Sequence, residues 1–196
     1  MGLDRLKRKL NSTAAFTLAE TLLAVLILLL VSGIVAGGVP AARNAYEKVV
    51  LESNAEVLLS TTVTALRNEL GTAAEIEAGT PDDSGTVTEI LYERESASGD
   101  ELIGSKSRIR LAGAEDAGEP AGVILYERYA DTDLTLGGGA RRLVSKEAST
   151  GDLYVTYESV RYDEAAGIIT FGGLSVDRES GRKGLAKLDT FSIRVL

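Results

Sequence analysis

From Phe16 to Val39 the chain runs for 24 residues in which Thr17, Glu20, Thr21 and Ser32 are the only polar side chains. As a helix this segment is about 36 Å long at 1.5 Å per residue. A bilayer hydrocarbon core is about 30 Å thick, so the segment is long enough to cross it. A helix apolar on every side has no polar face to turn to water and belongs in lipid or a deep core. Pro40 closes the run.

The flanks set an orientation. Residues 1–15 hold Arg5, Lys7, Arg8 and Lys9 against Asp4 alone, a net of +3. The whole chain carries 21 basic and 29 acidic side chains, a net of −8, so the remainder has 17 against 28, a net of −11. The positive-inside rule keeps the basic flank cytoplasmic and sends the acidic bulk across. Such an acidic body repels a nucleic-acid backbone, whose recognition rests on clustered Lys and Arg. The chain has no cysteine and no histidine, which excludes disulfides, thiolate or imidazole metal sites and a histidine-activated nucleophile. The expectation is no enzyme, no cofactor and no metal.

Three readings of the apolar segment follow. It can be a secretory signal cut near Val39-Pro40-Ala41, although it exceeds the usual apolar length of roughly 7–15 residues. It can be an uncut anchor. Neither accounts for Glu20, because a carboxylate within a spanning helix is costly and is by default a functional hypothesis.

The third reading rests on Ala15-Phe16-Thr17-Leu18-Ala19-Glu20 ahead of the apolar helix. This order resembles the class III signal of type IV prepilins and pseudopilins. The resemblance implies cleavage between Ala15 and Phe16 by a prepilin peptidase, N-methylation of Phe16, and an assembly role for Glu20 as the fifth mature residue. Ala15 stands where that family usually has glycine, and Ala19 where it usually has Ile or Val. The resemblance covers the leader and first helix, and implies other pilin subunits, an inner-membrane platform and an assembly ATPase as partners. It also implies a single-pass cytoplasmic-membrane protein, with a cytoplasmic leader and an extracytoplasmic C-terminus, that reaches a cell-surface pilus or a secretion or competence pseudopilus after assembly. A cut before Phe16 frees an α-amine of pKa about 7.7–8. Glu20 lies four residues on, one turn away on the same face, where a neighbouring subunit's amine can pair with it.

Gly37, Gly38 and Pro40 predict a kink or local unwinding. Helical signals resume at Ala41 and end at Leu70 before Gly71, a stop signal. Tyr46, Val50, Val57 and Ala65 stand near one face of this amphipathic stretch, flanked by Val49, Leu58 and Leu66, and no heptad persists, so it is expected to pack on a sheet. Beyond Gly71 come strand signals at Val87–Arg94, Arg108–Leu111 and Val123–Tyr129. They continue at Leu153–Glu158, then through a turn at Asp163–Gly167 to Ile168–Phe171. In the last strand Phe191, Ile193 and Val195 are assigned to one face, Asp189, Ser192 and Arg194 to the other. The expected fold is α+β and pilin-like, a long N-terminal helix packed on a C-terminal antiparallel β-sheet. Its segments are a leader (1–15), a membrane or filament-core helix (16–40), an amphipathic helix (41–70) and a β head (71–196).

Other motifs carry less. Ile90-Leu91-Tyr92-Glu93-Arg94 recurs as Ile124-Leu125-Tyr126-Glu127-Arg128, but two copies make no repeat array. Gly137-Gly138-Gly139 lacks the Lys-Ser/Thr of a phosphate loop. Asp131-Thr132-Asp133 and Asp82-Asp83-Ser84-Gly85 lack the closing Glu of a calcium loop and read as turns. The alternative to a polymer subunit is an anchored or secreted extracellular binding domain that does not polymerise.

Overall fold

The computed structural model describes residues 18–82, 85–94, 106–129, 139–149 and 152–195. One helix, α1 (Leu18–Leu70), is followed by β1 (Ala73–Ala78), β2 (Glu89–Arg94), β3 (Lys106–Leu111), β4 (Ile124–Arg128) and β5 (Arg141–Arg142). A 3-10 turn (Lys146–Ala148) leads to β6 (Leu153–Thr156), β7 (Ser159–Asp163), β8 (Ile168–Arg178) and β9 (Ala186–Arg194). The architecture is α+β, a long N-terminal helix packed on antiparallel sheets. The chain divides into two units, residues 1–48 and 49–196, with the division inside α1.

In the first unit the described residues 18–48 are helical and exposed throughout. Leu22, Leu26, Leu29 and Ile34 are each more than half exposed. The helix is long and apolar enough to cross a membrane. The expected unwinding at 37–40 is not found, because α1 runs unbroken through Gly37, Gly38 and Pro40. Proline removes one donor, that of the bond to the Ala36 carbonyl, and the long helical runs on both sides hold the segment together.

In the second unit, α1 ends where the sequence says it should. The Gly71 amide donates to the Arg67 carbonyl at 2.8 Å. A Cβ at Gly71 would lie 2.6 Å from that oxygen. The buried face of the helix is Ala55, Leu58, Thr62, Leu66 and Leu70. Thr62 is tolerated there because its hydroxyl donates to the Leu58 carbonyl at 2.9 Å. This corrects the expected face, since Tyr46, Val50 and Val57 point outward and only Ala65 is half-buried. The flanking Leu58 and Leu66 are the ones that pack.

The strands form two sheets rather than one. The first has the order β1-β2-β3-β4-β5, and in the second β8 carries β6 and β7 on one side and pairs with β9 as well. β2, β3 and β4 fall where the strand signals put them, with β3 between the other two. β1 is unexpected, because Ala73-Ala-Glu-Ile-Glu-Ala78 is composed mostly of helix formers. Pairing with β2 overrides that preference, at the expense of a register irregularity between Ala74 and Glu77 and a φ of 45° at Glu75. The turn at 164–167 joins β7 to β8, whereas β6 pairs with the far half of β8.

β8 switches its inward parity from Ile169 and Phe171 to Leu174 and Val176 across Gly172-Gly173. Gly173 has a φ of 67°, which an L side chain adopts only under strain. The facing β9 switches at the same level, between the pairs Gly172↔Thr190 and Leu174↔Leu188. Asp189 is therefore exposed with Ser192 and Arg194, although its odd number alone would place it beside the buried Phe191 and Ile193. Tyr157, Phe171 and Phe191 fill the centre of this core, the first two edge to face at 5.2 Å.

Candidate functional site

Of the three residues the sequence singles out, Ala15 and Phe16 lie outside the described residues. Glu20 is described, exposed, in the first turn of α1. The Thr21 hydroxyl donates to the Leu18 carbonyl at 2.9 Å. Thus the first turn holds one carboxylate, and the next five turns present an uncovered apolar surface. What this surface can do chemically is associate with lipid or other apolar helices, with Glu20 as its one ionisable group up to Arg43.

Few residues of the acidic and glycine-rich motifs are described. Asp82 accepts a bond from the Thr86 amide at 2.9 Å, closing a turn. Asp83-Ser84, Asp131–Asp133 and Gly137-Gly138 lie outside the described residues. Among the described residues no group of three or more Asp and Glu side chains is placed to hold a metal ion. The two similar pentapeptides flank β3, and Ile90 and Tyr126 both face Ile109 across the strands; the similarity is one of strand chemistry.

A charged network that the sequence did not disclose lies on the other face of the first sheet. The Glu127 side chain is 1% exposed. It accepts from Arg108 Nε at 2.8 Å, from Arg110 Nε at 2.8 Å and from the Tyr129 hydroxyl at 2.8 Å. Arg110 also donates two parallel bonds to Asp116, at 2.6 and 2.7 Å, and Asp116 accepts the Gly113 amide at 2.8 Å. The loop after β3 is thereby tied over the sheet. Burial pushes the Glu127 carboxyl up, but the bonds from Arg110, Tyr129 and Arg108 outweigh it and hold it below its ordinary value. The Arg110 bond is the chief cause that keeps Asp116 below its ordinary value too. Burial and the bond to Glu127 push the Tyr129 phenol up to about 12. Arg108, Arg110, Asp116 and Glu127 each have an oppositely charged partner within the network. The alternation Arg108-Ile109-Arg110 was the available signal, but only the β3–β4 register, Arg108 opposite Glu127, turns it into a network.

No protein-family model matches the chain, no curated protein matches it in sequence, and no solved structure matches it.

Proposed function

We propose that the chain is a type IV pilin-like structural subunit, cut between Ala15 and Phe16 and methylated on Phe16 by a prepilin peptidase. It then assembles through its N-terminal helix into a pilus or a secretion or competence pseudopilus. The observation that carries the reading is the division of labour along α1. Its first half is bare and apolar with a single carboxylate, Glu20, in the first turn, and its second half is the packing face of a β head. An exposed apolar helix this long needs lipid before assembly and neighbouring helices after it. In the assembled state the protonated amine of one Phe16 would pair with Glu20 of a neighbour, fixing register between otherwise greasy helices. The inferred partners are the peptidase, an inner-membrane platform, an assembly ATPase and other pilins.

The test is a Glu20→Ala variant expressed in cells that carry the assembly machinery. The expected outcome is a processed chain at normal level in the membrane fraction and loss of the sheared, assembled fraction. Assembly at the level of the unaltered chain would remove the role assigned to Glu20.

A further inference from the structure

Two apolar surfaces of the described chain lack a cover. One is the outward face of α1 just past the bilayer-length segment, where Tyr46 is 71% and Val49 63% exposed, with Val50 beside them at 37%. The other is a groove of about 300 Å³ between α1 and β9. It is lined by the half-buried Leu59, Val63, Ala186 and Leu188 and by the exposed Glu56, Ser60 and Lys187. Among the described residues β9 pairs with β8 alone, so the groove runs along an open strand edge.

We infer that the groove of one copy receives the Tyr46–Val50 face of a second copy. The inference rests on the polymer reading and gives it a specific contact. Three observations select this occupant. First, the face and the groove lie on one continuous helix, thirteen positions apart from Tyr46 to Leu59 and again from Val50 to Val63, so a chain cannot fill its own groove. Second, the charges at the two borders are complementary. Arg43 and Glu47, paired with each other at 2.9 Å, border the face, and Glu56 and Lys187 border the groove. Docking sets Arg43 against Glu56 and Glu47 against Lys187. Third, the two surfaces differ, and with the helices parallel in one membrane the contact is heterologous. Each copy offers one and accepts one, and such contacts propagate as open filaments or rings rather than closing as a two-fold dimer. With the helices parallel, thirteen residues set the offset between neighbours at about 20 Å along the axis.

The natural chain has no cysteine, which makes disulfide trapping clean. Full-length Tyr46→Cys and Leu188→Cys variants are co-expressed in their native membrane and oxidised with copper phenanthroline. A second pair, Val50→Cys with Val63→Cys, covers the case in which Leu188→Cys fails to fold. Tyr46→Cys with Thr190→Cys, on the outer face of β9, is the control. The expected result is about tenfold more disulfide-linked dimer from at least one test pair than from the control, a preference of ~1.4 kcal/mol. Dimer at the control level in both test pairs overturns the inference and leaves lipid or another protein as the cover of these surfaces. The N-terminus of the same preparation separates this outcome from failure of the polymer reading. A start at Phe16 without adduct removes the docking contact alone. An adduct on unprocessed chain keeps the contact and removes the pilin reading.

Discussion

At the scale of single residues, the Glu127 side chain is 1% exposed and binds two arginines and a tyrosine. Removing one partner of a buried ionic cluster leaves uncompensated charge, at a cost of about 3–5 kcal/mol. We expect Glu127→Ala to lower the stability of the head by about that amount in chemical denaturation of the full chain in detergent. The network also fixes the sign of the acid response. Glu127 and Asp116 both lie below their ordinary values of 4.5 and 3.8 in the folded chain. Their contribution is complete above those values and is lost as pH falls through the lower folded ones. Thermal unfolding followed from pH 7 down to strongly acidic conditions should show the unaltered chain losing its advantage over Glu127→Gln only below about pH 4.5; a constant difference down to the acid limit would contradict this. None of this was legible residue by residue. Glu127 stands in a strand motif like that containing Glu93, which is only partly buried. What distinguishes the two is a strand register and a loop bond, both nonlocal.

At the scale of elements, the C-terminal end of α1 was legible because Gly71 is a local signal. The buried face was not, because Tyr46, Val50 and Val57 offer an apolar stripe that competes with Ala55, Leu58, Thr62, Leu66 and Leu70. The structure buries the second set, one alanine and one self-satisfied threonine among three leucines. Leu66→Ala should therefore cost about 2–5 kcal/mol, whereas Val57→Ala should leave head stability within about 0.5 kcal/mol. Equal losses in the two variants would mean that the face is misassigned. In the second sheet, Gly173→Ala forces an L residue to a φ of 67°, worth about 1–2 kcal/mol of destabilisation. β1 escaped the sequence reading for the opposite reason, since Ala and Glu state no strand preference and only β2 as a partner supplies one.

At the scale of the whole molecule, the net charge of −8 averages a basic N-terminal stretch, an apolar run and an acidic remainder. The long apolar helix that carries Glu20 was readable from composition and spacing. That the acidic part is α+β was readable from its strands and turns, but its division into two sheets was not, because strand order depends on long-range pairing. Under the proposed function this chain is processed and then polymerised. Intact-mass and N-terminal peptide mass spectrometry of the chain from membranes containing a prepilin peptidase tests it most directly. The account predicts a mature chain that begins at methylated Phe16. A chain that keeps residues 1–15, or one that begins beyond Val39, would contradict it.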